Sequence, residues 1–151
     1  HSDLRRQRQM CIRDRNNPTV MSIYGDALLR SNKIPEGVKV WEKLYEIDPI
    51  PFADSNSDRR TNNLFFAYFL NGQYDKCDEI FKTINEPTNR TWLLRTHSKL
   101  KNGDKLQDEV WYKKGLNEFK DLDWDNEVDR FHLNNEELQK KLTATAKAQF
   151  A

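Results

Sequence analysis

From residue 18 onward, apolar positions recur every three or four residues, and short polar turns interrupt them. In 18–51, Met21, Tyr24, Leu28 and Leu29 mark one helical stripe, and Val38, Trp41, Leu44, Tyr45 and Ile47 mark another. Asn32-Lys33-Ile34 separates the two. Pro35 falls in the first turn of the second helix, where a missing N–H costs least, and Asp48-Pro49 stops that helix. Leu64, Phe65, Tyr68 and Phe69 then lead into a turn at Gly72, and Ile80, Phe81 and Ile84 run on to a stop at Glu86-Pro87. A third turn, Asn102-Gly103-Asp104, divides "TWLLRTHSKL" from "KLQDEVWYKKGLNEF". Finally Trp124, Val128 and Phe131 precede Leu138, Leu142, Ala146 and Phe150, with Asn134 and Glu137 at capping-box spacing. The pattern predicts an all-α fold of helical hairpins at about 18–51, 58–87, 89–121 and 123–150.

The first hairpin resembles a tetratricopeptide repeat, a unit of about 34 residues. Counted from Pro18, Gly25 falls on the family's small position eight, Ile34 on its apolar position seventeen and Gly37 on small position twenty, and Asp48-Pro49 closes the unit. In the family the two small positions face each other where the helices cross. "NGQYDKC" (71–77) is similar to the family's x-G-x-Y-x-x-A, with Gly72 in the turn, Tyr74 at a packing position and Cys77 at a small one. Phe65 stands where that repeat wants a small residue. With Gly103 in the third turn, Thr96 and Gly115 take the first and third small positions, and Asp108 is a poor fit at the second.

The resemblance implies antiparallel hairpins stacked as a short right-handed solenoid, with the first helix of each lining a concave groove that binds peptides. The groove positions would be Ser22, Asp26, Leu29 and Arg30, then Arg59, Asn62, Phe66 and Phe69, then Arg90, Leu93, His97 and Lys101. Such a groove suits an extended or helical protein segment carrying aliphatic and acidic side chains. Phe66 and Phe69 fit the core equally well. Family members that hold a heat-shock chaperone's C-terminal carboxylate use a lysine and an asparagine where this chain has Ser22 and Asp26, and Asp26 would repel a carboxylate, so such tails are excluded. A second resemblance, of "LDWDNEVDRFH" and "TATAKAQ" to the C-terminal end of repeat-containing bacterial sulfotransferases, lacks that family's nucleotide-binding loop. The reading is therefore a non-catalytic interaction module, with the non-catalytic part of a larger sulfotransferase or glycosyltransferase as the alternative.

Charge changes the picture only at the start of the chain. "RRQRQMCIRDR" (5–15) has the composition of a nucleic-acid-binding arm. Its residue order, however, matches codon by codon the translation of a common transposase-based sequencing adapter, and the match extends over residues 1–15. On that resemblance 1–15 is a non-native, disordered extension outside the fold, and the remainder is a piece of a longer protein. The extension holds five arginines and two aspartates. Without it, 20 basic and 22 acidic side chains give −2 in place of the whole chain's +1. No basic surplus then argues for a nucleic-acid partner.

Aromatic residues, at 11%, argue against wholesale disorder. No apolar run approaches the roughly 20 residues of a membrane-spanning helix. Two cysteines are too few for a disulfide framework or a zinc site, and Cys77 reads as a small buried residue. "DSNSD" (54–58) opens like a calcium loop, but Arg59 and Phe65 stand where the loop needs glycine and glutamate. "DLDWD" (121–125) reads as a loop leading into a helix N-terminus. His97 and His132 lie outside metal-ligand spacing, and Asn89-Arg90-Thr91 fits a glycosylation sequon. With no phosphate loop, G-x-S-x-G or H-E-x-x-H, the expectation is no catalytic residue, cofactor or metal. Localisation is left open, with the cytoplasm as default.

Overall fold

The computed structural model describes residues 4–5, 17–47 and 58–151. The adapter-like reading of 1–15, Leu4 and Arg5 apart, the Asp48-Pro49 stop and most of "DSNSD" lie outside the described residues. Among those described, the chain from residue 17 is all-helical. Its elements are α1 (Pro18–Arg30), α2 (Ile34–Ile47), α3 (Arg59–Leu70), α4 (Tyr74–Phe81), α5 (Asn89–Lys101), α6 (Val110–Glu118), α7 (Trp124–Asp129) and α8 (Glu136–Gln149). They form two compact units, His1–Glu86 and Pro87–Ala151. In unit 1, α1 packs on α2, α2 on α3 and α3 on α4. In unit 2, α5 packs on α6 and α8, and α7 packs on α8.

The turns that end α1, α3 and α5 share one geometry. Each reverses through a residue with positive φ: Asn32 (61°), Gly72 (72°) and Gly103 (88°). In each, that residue's N–H reaches back three residues, to Leu29, Phe69 or Leu100, and the next N–H reaches back five, to Leu28, Tyr68 or Lys99. These bonds satisfy the last carbonyls of the helix and turn the chain back on itself. Glycine takes the left-handed conformation without Cβ strain, and asparagine is the side chain that tolerates it best.

Helix starts follow local side-chain chemistry. The Asn17 side chain accepts from Thr19 and Val20 N–H, at 3.0 and 3.2 Å, and the Thr88 hydroxyl accepts from Thr91 N–H at 3.2 Å. Asp123 caps α7, as the "DLDWD" reading expects. The start of α8 falls one residue later than the capping-box spacing predicts: Asn135, not Asn134, accepts from Leu138 N–H at 3.0 Å.

Three further expectations are corrected. First, α4 ends at Phe81, well before Glu86-Pro87. Beyond it, the Asn85 and Glu86 N–H groups donate to the Asp58 carboxylate at 3.1 and 2.9 Å, so a side chain distant in sequence takes bonds that a helix would have supplied. Second, α6 does not follow its turn directly. Leu106 buries itself in the connection, and the helix begins only at Val110, leaving Asp108 in a turn. Third, Tyr74 is 54% exposed, meeting Phe69 edge-on at 5.8 Å rather than packing inside.

The small positions hold helix crossings, but against large side chains rather than each other. A Cβ on Gly25 would lie 2.7 Å from Trp41 Nε1, and one on Gly37 would lie 2.7 Å from Leu29 Cδ2. A Cβ on Gly115 would run into the Trp92 indole. Trp92 is the centre of unit 2: Tyr112, Phe119, Trp124 and Phe150 all bring their rings within 5.7–6.0 Å of it.

Gly115→Ala is expected to lower stability by about 1–3 kcal/mol, because the added methyl displaces a packed ring. Gly72→Ala, which meets no neighbour within 4 Å, loses about 1 kcal/mol through its positive φ alone, and Gly72→Asn loses less. Urea unfolding followed by circular dichroism measures all three, and a Gly115→Ala protein as stable as the parent contradicts the crossing.

Candidate partner-binding surface

Unit 1 divides the anticipated groove residues between interior and surface. On α1, Asp26 and Arg30 are exposed, one turn apart, while Leu29 is buried over Gly37. Ser22 turns its hydroxyl to the Thr19 carbonyl, at 2.8 Å. On α3, Arg59 is exposed in the first turn. Asn62 is only 2% exposed, and its amide donates to the Asp58 carbonyl at 2.8 Å and the Glu86 carbonyl at 3.4 Å. Phe66 and Phe69 are buried. The reason is the composition of α3: Thr61, Asn62 and every residue from Leu64 to Phe69 are buried, so this helix has almost no free face.

Unit 2 does the same on α5. Leu93 is wholly buried, Arg90 is half-buried at the helix start and Lys101 is exposed at its end. His97 meets α8, its Nδ1 lying 2.9 Å from Thr145 Oγ1. Burial, then Lys101 and Lys141, hold this imidazole below its ordinary pKa. In this conformation Leu29, Asn62, Phe66, Phe69 and Leu93 are interior residues and His97 is an interhelical contact. Of the twelve groove positions, Asp26, Arg30, Arg59 and Lys101 are exposed, and Ser22 and Arg90 partly so.

The sequon at Asn89 is also engaged. The Asn89 amide donates to Glu127 Oε2 at 2.9 Å, and Thr91 is fully buried, with its hydroxyl 3.2 Å from that of Thr88. Cys77 is buried and donates weakly to the Phe65 carbonyl, at 3.6 Å. Among the described residues no three His, Cys, Asp or Glu side chains converge as metal ligands, and no helix is long and apolar enough to cross a membrane.

One polar cluster in unit 1 has no counterpart in the sequence pattern. Tyr68, on α3 and 7% exposed, donates its hydroxyl to Glu42 Oε2 on α2 at 2.8 Å. Lys76 on α4 approaches the same oxygen at 4.0 Å and lies 5.6 Å from the Tyr68 ring centroid. Burial first, then the Glu42 carboxylate, push the Tyr68 phenol far above its ordinary pKa. Three helices thus meet on one carboxylate. Residues 26 and 34 positions apart from Glu42 leave no periodic trace that would reveal them.

No protein-family profile, curated protein or solved structure matches the chain.

Tyr68→Phe is expected to cost about 1–2 kcal/mol at neutral pH, since it leaves Glu42 without its donor. The folded phenol's raised pKa means the unfolded chain loses that proton first. Stability therefore falls as pH rises above about 10, with Tyr112, raised by burial, adding to the same limb. Urea midpoints across the alkaline range should fall less steeply in Tyr68→Phe, and parallel slopes overturn the assignment.

Proposed function

We propose that the chain is a segment of a tetratricopeptide-like helical repeat protein, binding a protein or peptide and performing no catalysis of its own. The observation that carries this reading is the turn repeated at Asn32, Gly72 and Gly103 with the same backbone bonds, because a repeat architecture needs one reversal used again and again. Glycines at the crossings of α1 with α2 and of α5 with α6 support it. On this reading the hairpins stack as a short right-handed solenoid.

The exposed charges indicate the partner's chemistry. On unit 1 these are Arg30 and Arg59, with Asp26 between Ser22 and Arg30 along α1. An acidic segment complements the two guanidinium groups, while Asp26 opposes a terminal carboxylate of the heat-shock chaperone kind. The second reading, a repeat portion of a sulfotransferase or glycosyltransferase, draws on the two stretches of the second resemblance. They fall largely on α7 and α8, which pack together and join where Lys147 meets Asp125 at 2.6 Å. A catalytic domain in the same reading frame would favour this second reading.

Labelled peptides alternating Glu or Asp with Leu, titrated by fluorescence anisotropy against the full chain, test the first reading. Micromolar binding is expected, weakened roughly five- to tenfold in an Arg30→Ala, Arg59→Ala double variant, as two exposed ion pairs would give. A double variant that binds as tightly as the parent, or a parent that prefers basic peptides, overturns it.

A further inference from the structure

We infer that α8 is a proton-sensitive latch on α5, loosened when the imidazole of His97 takes up a proton. The inference goes beyond the proposed function and stands without it. α8 lies across unit 2 through its last two turns. Leu142 and Ala146 are fully buried, and Gln149 Oε1 accepts from the Tyr112 hydroxyl at 2.6 Å. Phe150 packs against both Trp92, at 5.7 Å, and Trp124, at 6.0 Å. His97 is the titratable group within this docking that changes charge near neutral pH.

Its surroundings are one-sided. Lys101 follows one turn later on α5, and Lys141 stands on α8 one turn before Thr145. The acidic residue near them on α8 is Glu137, itself paired with Lys141 at 3.4 Å. From α6 the residue facing this docking is Tyr112, which is neutral in this pH range. α7, also packed on α8, spends Asp125 on Lys147. A proton on His97 therefore adds a positive charge beside Lys101 and the Lys141–Glu137 pair at a half-buried junction. The Thr145 hydroxyl can turn from donating to accepting, so the hydrogen bond survives protonation. The charge, not the bond, is the switch.

The sign follows from the lowered pKa. The undocked form, with His97 in water, binds the proton more readily than the docked form. Docking is then fully supported above the ordinary histidine range, near pH 6.5, and weakens as pH falls below it. Release would expose the His97 side of α5, the helix face that the repeat pattern assigns to a partner.

Hydrogen exchange of the full chain, read by mass spectrometry from about pH 7.5 to pH 5 and corrected for intrinsic rates, tests the latch. The expected result is a loss of protection in α8 that exceeds any loss in α2, a helix without histidine. His97→Gln removes that excess loss, whereas His132→Gln, altering the other described histidine, leaves it in place. Lys141→Glu, at a side chain 57% exposed, gives up the Glu137 pair but places a carboxylate at the junction, and relative to its own protection at pH 7.5 it should abolish or reverse the loss. If α8 follows α2 at every pH, or if the His97→Gln and Lys141→Glu proteins keep the parent's profile, the latch is refuted.

Discussion

An indole ring lying on a glycine is the contact around which each unit is arranged. In unit 1 the ring is Trp41 of α2 and the glycine is Gly25 of α1; in unit 2 the ring is Trp92 of α5 and the glycine is Gly115 of α6. Without a Cβ, the helix backbone becomes a flat seat, and the largest side chain available fills it. Burying such a ring stabilises by a few kcal/mol at about 25 cal/mol per Å² of apolar surface. The two seats differ in how the ring nitrogen fares. Trp92 Nε1 donates to the Tyr112 carbonyl at 3.2 Å, whereas Trp41 Nε1 is buried without an acceptor among the described residues. Gly37 repeats the arrangement with Leu29, so α1 and α2 interlock in both directions.

What was legible in the sequence is what depends on neighbours in the chain. The stripes of Met21, Leu28, Trp41 and Leu44 gave the first two helices, and Gly72 and Gly103 gave two of the turns, because periodicity and positive φ act within a few residues. What was not legible is set across long separations. Asp58 ends α4 by holding the amides of Asn85 and Glu86, and Leu106 delays α6 by choosing burial over helix. Neither event has a local signal. Each is a contest between a helix and a contact made elsewhere, and the contact wins where it satisfies backbone groups or buries an alkyl chain.

The same distinction explains the anticipated surface. Spacing placed Asp26, Leu29, Asn62, Phe66 and Leu93 at related positions on first helices, and spacing alone treats such positions as equivalent. Side-chain chemistry does not. The apolar members were drawn inward, Asn62 went with them because two carbonyls receive its amide, and the charged members stayed in water. Arg30 and Lys101 occupy last turns, where a cation also offsets the negative end of the helix. A positive surface at those points therefore has a structural cause as well as any recognition role.

The two units also meet changes in pH from opposite directions. Unit 1 gathers α2, α3 and α4 on a tyrosine hydroxyl and a carboxylate, an arrangement that weakens in alkali as the phenol gives up its proton. Unit 2 docks α8 beside an imidazole set among lysines, an arrangement that holds while the ring lacks a proton and weakens in mild acid. Burial acts in both, disfavouring the charged form of each group. The outcomes diverge because the neutral form of tyrosine is the protonated one and the neutral form of histidine is not. Near neutral pH both groups are uncharged and both sets of contacts are complete. Mild acid then acts on the imidazole beside α8 and leaves the Tyr68 phenol in the protonated form it already has, so the same burial makes one unit sensitive to alkali and the other to acid.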